Sequence, residues 1–158
     1  MKITKTQVLS AVAAASIVAT PMVAKWEGKS NTPYADIVGV QTVCYGETRV
    51  AMRKYTDAEC TAMLDKAVKE FITEVVTMTP TLEKKPNALA AASSTAYNIG
   101  LGNYKTSSAR KRFLEGKIAS GCANLKLFNK ARVKGKLIPV KGLINRREDE
   151  YKTCMKDA

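Results

Sequence analysis

The chain contains no histidine. It therefore has neither the imidazole base of Ser-His-Asp and Cys-His nucleophile sites nor the usual ligands of zinc hydrolases. Its four cysteines also lack the C-x-x-C spacing of zinc ribbons and thiol redox sites. Acid and base chemistry falls to carboxylates, and we expect no metal ion and no other cofactor.

Acidic residues are scarce beside basic ones. The 158 residues include 26 Lys and Arg against 14 Asp and Glu, a net charge of +12, and 46% are hydrophobic. This composition is typical of one globular domain with a polyanionic partner, which leaves nucleic acid, an anionic membrane or an acidic wall polymer. A basic nucleic-acid binder is the rival from another class, but no RRM, zinc-finger or homeodomain signature accompanies the charge. We expect no nucleic-acid partner.

The amino-terminal segment is uncharged over residues 6–24, between Lys5 and Lys25. A run of this length just spans a hydrocarbon core of about 30 Å, with the basic amino end in the cytoplasm. Thr, Gln, Ser and Pro residues oppose insertion, so the segment is a marginal membrane span. The run lacks a polar face, which argues against a helix in the core of a soluble domain.

A cleaved signal peptide is the alternative for this segment. Cleavage after Ala24 would place Met22 at the outer small-residue position, and cleavage after Ala19 would place Ile17 there. Because both sites are poor, we favour an uncleaved anchor over residues 1–25. Either interpretation sends residues 26–158 across the inner membrane.

The exported part predicts a small sheet followed by helices. Residues 34–51 are rich in β-branched residues and glycine turns, which indicates an antiparallel sheet. Thr56 and Glu59 form a capping box for a helix that ends before Pro80. The next segment predicts an Ala-rich helix that begins at Asn87 and is ended by Gly100 and Gly102. A short helix capped by Ser107 or Ser108 then runs to Leu114. The remaining segments predict a helix over 117–129, a loop over 131–142 and a final helix over 143–155. The fold class is α+β, with a small sheet lobe against a helical lobe and a cleft between them.

Glu27, Asp36 and Thr42 are candidate catalytic residues. Glycoside hydrolysis needs a carboxylic acid that protonates the leaving oxygen and a second carboxylate across the sugar. Trp26 and the nearby strands can surround Glu27 with apolar groups, and the Thr42 hydroxyl can position a water molecule. Spacing alone favours a plainer interpretation, in which the three are a solvated Glu, a turn Asp and a strand Thr.

Longer sequence patterns change that balance. The stretches WEG (26–28), PYADIVGVQTVCYGET (33–48), AASSTAYNIGLGNY (91–104) and KGLINRREDE (141–150) together resemble phage lysozymes of glycoside hydrolase family 24. The resemblance implies a two-lobed lysozyme fold that cleaves peptidoglycan between N-acetylmuramic acid and N-acetylglucosamine. On it, Glu27 looks like the general acid, Asp36 like the second carboxylate and Thr42 like the residue that positions water. A lysozyme-like protein that binds glycan without cleaving it is the second rival.

The same resemblance places Tyr45, Asn98, Gly100 and Tyr104 at the cleft, although packing or turn geometry explains each of them equally well. Glu47 departs from the His or Asn of many members. The overall pattern is similar to signal-anchor-release endolysins of lambdoid phages, in which a weak anchor tethers an inactive enzyme in the periplasm. Since Glu27 follows Lys25 by two residues, a membrane-held anchor keeps Glu27 at the bilayer surface.

The four cysteines allow three pairings, of which we favour Cys44 with Cys60 and Cys122 with Cys154 in an oxidising compartment. Two further expectations concern surfaces. The paired Arg146 and Arg147 fit either contact with the wall polymer or, as we favour, a solvated helix face with Glu148 and Glu150. We expect a monomer.

Overall fold

The structure is a computed structural model that describes residues 2–36 and 38–158. Residue 37, within the predicted sheet segment, and residue 1, within the predicted anchor, lie outside the described residues. The elements are α1 (Lys5–Trp26), β1 (Ser30–Ala35), β2 (Gln41–Cys44), α2 (Asp57–Met78), α3 (Pro86–Ile99), α4 (Leu101–Lys105), α5 (Ser108–Leu114), α6 (Ile118–Leu125), β3 (Lys130–Val133), β4 (Lys136–Pro139) and α7 (Lys141–Cys154). Two antiparallel hairpins, β1–β2 and β3–β4, accompany the helices. The predicted α+β class and the apolar amino-terminal helix are confirmed.

The amino-terminal helix α1 packs against α2 and α3. Thr4 and Gln7 form a capping box at its start. Its buried face carries small and β-branched residues, among them Ala11, Val12, Ala15, Ala19 and Val23. In this structure the segment is a core helix, and the sequence argument against that placement is wrong. The helix packs in the core because its alanines let the neighbouring helices approach closely. It does not need a polar face on its opposite side for this packing.

A polar contact also joins α1 to α2. The Thr20 hydroxyl donates to Asp65 Oδ1 at 2.8 Å, and Lys69 pairs with Asp65 Oδ2 at 2.8 Å. Lys69 first, and Thr20 to a lesser degree, lower the pKa of the Asp65 carboxyl. A hydrogen bond from a hydroxyl to a carboxylate therefore joins α1 to α2 beside the apolar face of α1.

Helices α2 and α3 build the centre of the core. The predicted capping box of Thr56 and Glu59 starts α2, which ends before Pro80 as predicted. Its apolar stripe buries Leu64, Val68, Ile72 and Val75. Helix α3 is buried continuously from Ala88 to Ala96 and ends at Gly100, whose φ of 92° suits glycine. Gly102, predicted to end the same helix, lies instead within α4.

The first hairpin forms the sheet lobe. Tyr34 pairs with Thr42, and Ala35 pairs with Gln41. The predicted sheet segment therefore contains the end of β1 and all of β2. A second apolar cluster of Val43, Cys44, Tyr55 and Cys60 lies beneath it. The Cys44–Cys60 disulfide connects β2 to α2.

The carboxyl-terminal part differs more from the sequence prediction. Ser107 caps α5, but α6 is shorter than the predicted helix over 117–129. The loop predicted over 131–142 is wrong, because β3 and β4 pair there around a two-residue turn. Lys134 and Gly135 have φ values of 51° and 79°, as a tight hairpin turn requires.

Two contacts hold α6 in place. The Cys122–Cys154 disulfide joins it to α7, so both disulfides match the favoured pairing. On its buried side, a Cβ atom added at Gly121 would collide with the ring of Phe113. Glycine at this position therefore permits α5 and α6 to pack closely.

Candidate active site

Glu27 occupies the carboxyl-terminal cap of α1. Its N–H donates to the Val23 carbonyl at 2.9 Å, and the following Gly28 has a φ of 55° that turns the chain toward β1. The Glu27 side chain is 28% exposed. The last turn of α1 thus fixes where this carboxylate lies.

The immediate neighbour of the Glu27 carboxylate is a guanidinium. Arg146 Nη1 donates to Glu27 Oε1 at 2.8 Å. The predicted apolar surroundings with Trp26 are wrong, because the Trp26 indole N–H instead donates to Asp149 Oδ2 at 2.8 Å. Lys25 pairs with the same Asp149 oxygen at 3.4 Å. Helix α7 therefore holds the end of α1 at three consecutive residues.

Arg146 belongs to a buried network of ion pairs, not to a solvent-exposed surface. Arg146, Arg147 and Glu150 are 4%, 1% and 0% exposed. The prediction of a solvated face, and its alternative of contact with the wall polymer, are wrong for these three residues. Hydrogen bonds to Glu150 from Ser94, Thr95, Arg146 and Arg147 satisfy the buried carboxylate.

Arg147 extends this network toward the second hairpin. Its Nη1 donates to Asn98 Oδ1 at 2.9 Å and to the Phe128 carbonyl at 3.2 Å. Burial lowers the pKa of Arg147, while the negative charge of Glu150 opposes that shift. The network thereby ties α7 to the end of α3 and to the segment before β3.

Asp36 and Thr42 lie on the sheet lobe. Asp36 Oδ1 accepts hydrogen bonds from the N–H groups of Val38 and Val40 at 2.9 and 2.8 Å. The Thr42 hydroxyl donates to the Val40 carbonyl at 3.0 Å. Asp36 is half-buried, whereas Thr42 is 4% exposed. Backbone groups of Val38 and Val40 therefore orient both side chains.

The four predicted substrate-binding residues occupy different environments. Asn98 is exposed, Gly100 is half-buried at the end of α3, and Tyr45 packs between the two apolar clusters. Tyr104 is 0% exposed, and its hydroxyl pairs with Thr79 Oγ1 at 2.8 Å. Burial raises its pKa well above the ordinary value. The cleft position predicted for the Tyr104 side chain is wrong, because the side chain lies in the core.

Sequence reasoning missed Tyr97. Burial raises the pKa of its phenol, and the negative charges of Glu27 and Glu47 raise that pKa further. Its ring packs 4.9 Å from that of Phe71. Tyr97 stood inside a sequence stretch already singled out, but nothing in a single sequence distinguishes it from the adjacent Asn98.

Glu47 lies beside a cavity of about 260 Å³. Arg49 Nε approaches Glu47 Oε1 at 3.4 Å, and the Glu47 side chain is 17% exposed. Lys66 and Glu70 of α2 also line the cavity. The space between the sheet lobe and α2 is thus lined by charges of both signs.

Comparisons with known proteins found a matching family and similar relatives. Residues 24–150 match the family described as phage lysozyme. The chain is 36% identical over 134 residues to a SAR-endolysin of bacteriophage PS119, covering 82% of this chain and 76% of that protein. It is 37% identical over 131 residues to a SAR-endolysin of Pseudomonas phage phiKMV, covering 82% and 81%.

Solved structures share the fold. An endolysin from Escherichia coli O157:H7 phage FAHEc1 superposes with a TM-score of 0.74 at 26% identity, covering 100% of this chain and 96% of that one. The active form of P1 phage endolysin Lyz gives 0.74 at 24% identity, covering 90% and 83%. The secreted inactive form of that endolysin gives 0.52 at 20% identity, covering 98% and 96%. The fold described here is thus more similar to the active form.

Proposed function

Because this chain belongs to the phage lysozyme family, whose members are glycosidases, we propose that it hydrolyses the β-1,4 bond between N-acetylmuramic acid and N-acetylglucosamine in peptidoglycan. The observation that carries the proposal is the Glu27–Arg146 contact of 2.8 Å at the end of α1. A partly exposed carboxylate that a buried arginine holds in one position is suited to meet a substrate oxygen repeatedly in the same geometry.

The three predicted catalytic residues receive separate roles. Glu27 is the general acid that protonates the leaving glycosidic oxygen. Asp36 is the second carboxylate, and its Oδ1 is fixed by two backbone N–H groups, so Oδ2 is directed to substrate or water. Thr42 donates its own proton to the Val40 carbonyl, which leaves its oxygen lone pairs to accept from an attacking water. Asn98 and Tyr45 are proposed to contact the glycan.

We further propose that the enzyme waits in an inactive state, with α1 in the host inner membrane and the catalytic part, residues 26–158, in the periplasm. Among the described helices, α1 is the one long and apolar enough to span a bilayer. The relatives from PS119 and phiKMV are SAR-endolysins. Since Glu27 bonds to Val23 within the last turn of α1, a helix held in lipid keeps Glu27 away from Arg146. Release of α1 and its docking on α2 and α3 complete the site and permit host lysis.

Glu27→Gln tests the catalytic proposal. The amide keeps the shape of the side chain but cannot donate the proton, so release of reducing ends from purified peptidoglycan should fall by about 10² to 10⁴-fold. Glu148→Gln, on the exposed side of α7, is the matched control and should retain activity. Mass spectrometry of the products identifies the bond that is cut. If the parent protein binds peptidoglycan but releases no reducing ends, it is a glycan-binding protein instead.

Fractionation with intact-mass measurement tests the anchor. Before depolarisation we expect full-length protein in the membrane fraction, and afterwards the same mass in the soluble fraction. A mass that lacks about 19 to 24 residues at every stage would establish a cleaved signal peptide. Equal activity of the membrane-bound and soluble forms would contradict the proposed inactive state.

A further inference from the structure

The second hairpin projects from the helical lobe. Residues 132–139 are all exposed, and Ala131 is half-buried. Its strands β3 and β4 pair in continuous register from Lys130–Pro139 at the base to Val133–Lys136 at the tip. Four residues at about 3.4 Å each give the hairpin a reach of roughly 14 Å. Both of its faces are therefore open to a partner.

The hairpin is strongly cationic. Residues 127–141 contain no acidic residue. The basic side chains of this segment are Lys130, Arg132, Lys134, Lys136 and Lys141. None of them takes part in the ion pairs formed among residues 2–36 and 38–158. Five positive charges thus lie close together without internal compensation.

Exposed apolar side chains are interleaved with these charges. Leu127, Val133, Leu137 and Ile138 are 64%, 43%, 59% and 40% exposed. The pairing of β3 with β4 sets Leu137 beside a basic residue on one face and Val133 beside another on the opposite face. Apolar groups left uncovered on a projecting hairpin are available to a binding surface.

We propose that this cationic hairpin docks on an anionic phospholipid bilayer, with its lysines and arginine at the headgroup phosphates and its apolar side chains in the interface. A bilayer surface supplies negative charge and an apolar layer within a few ångströms of each other, which is what the hairpin matches. A wall polymer supplies charge without an apolar layer. This surface lies outside the catalytic residues and goes beyond the proposed hydrolysis.

A double variant, Lys134→Asn with Lys136→Thr, tests the proposal. Asparagine accepts the positive φ at position 134 and threonine suits a strand, so the hairpin should persist. Each basic residue near an anionic surface strengthens binding by about five-fold, so the double variant should bind about 25-fold more weakly. Lys136→Thr alone should lose about five-fold.

The matched control is Lys84→Gln with Lys156→Gln, which removes the same charge elsewhere. Contacts of Asp157 with Asn87 place these lysines near the amino end of α3. Arg147 links the hairpin side to Asn98, at the other end of this 14-residue helix. The two ends are about 20 Å apart, beyond the Debye length of about 10 Å at 0.1 M salt. The control should lose less than about three-fold.

The measurement is cosedimentation of the full-length, oxidised protein with vesicles of phosphatidylglycerol and phosphatidylcholine, and with phosphatidylcholine alone. Insertion of α1 contributes equally to all variants, so the comparison isolates the hairpin. The proposal requires that the hairpin variant lose binding to the anionic vesicles and keep its thermal midpoint and glycan cleavage. Equal binding by the hairpin variant and the control would overturn it. Loss of binding to insoluble peptidoglycan, with vesicle binding intact, would overturn it in favour of a wall partner.

Discussion

Removal of the Glu150 charge should destabilise the protein far more than the same change two residues earlier on α7. Glu150 is 0% exposed and accepts hydrogen bonds from Ser94, Thr95, Arg146 and Arg147. The carboxylates of Glu150 and Glu27 together balance the positive charges of Arg146 and Arg147. In Glu150→Gln the network carries an uncompensated positive charge, and the amide group of glutamine faces donors where an acceptor is needed.

The cost follows from that burial. Breaking a buried ion pair by removal of one partner costs about 3 to 5 kcal/mol. For a domain of this size each kcal/mol shifts the thermal midpoint by about 2 to 4 °C, so Glu150→Gln should lower it by roughly 10 °C. Glu148 makes only a 3.8 Å contact with Lys126, and both side chains are partly exposed. Its replacement should cost less than about 1 kcal/mol.

Thermal unfolding of oxidised protein, followed by circular dichroism at pH 7, measures both variants under one condition. Glu148→Gln controls for loss of a negative charge on α7 in a protein that is already strongly basic. A midpoint of Glu150→Gln within about 2 °C of that control would show that the buried network does not hold α7 against α3.

Three further comparisons test the packing and the proposed release. Gly121→Ala should destabilise the protein by about 1 to 3 kcal/mol in denaturant unfolding, because the added methyl group meets a phenylalanine ring. The control Gly102→Ala places its methyl group in open space and should be neutral or slightly stabilising. The pKa of Asp65 is lower in the folded protein than its unfolded value of 3.8, so its ionised carboxylate stabilises the fold above that pH. This stability is lost as pH falls through the folded pKa. The free energy of unfolding of Asp65→Asn should therefore depend less on pH below about 4. Ala15→Leu and Ala14→Leu add equal apolar area to the helix in lipid, but only position 15 is buried when the helix is docked. The larger side chain at position 15 should weaken docking, so Ala15→Leu should keep more protein in the membrane fraction after depolarisation than Ala14→Leu.

Local signals explain most of what could be predicted from the sequence. The capping box at Thr56, the stop before Pro80 and the glycine at position 100 act through neighbouring backbone groups, so a single sequence reveals them. The β3–β4 hairpin was missed because a Lys-Gly turn resembles ordinary loop punctuation. Its formation depends on Lys134 adopting a positive φ, which is uncommon for residues other than glycine.

The surroundings of the candidate site were less predictable because they depend on distant pairs. Arg146 contacts Glu27 across 119 residues of sequence and the Ser94 carbonyl across 52. Arginine is usually exposed, so its burial becomes intelligible only when both partners are known. The proposed roles of Glu27, Asp36 and Thr42 came from a specific motif, whereas the network that holds Glu27 came from the fold.

In the proposed release, docking of α1 and completion of the site are the same event. Glu27 bonds to Val23 of α1 on one side and to Arg146 of α7 on the other, while Trp26 anchors the same turn to Asp149. Activity should therefore be proportional to the fraction of molecules with α1 docked. When the docked fraction is small, a variant that weakens docking will reduce activity by nearly the same factor as its docking equilibrium constant. When docking is nearly complete, the same variant will leave activity almost unchanged. The same substitution should thus have a large effect in polarised cells and a small effect on purified soluble enzyme, a difference that a purely catalytic defect would not produce.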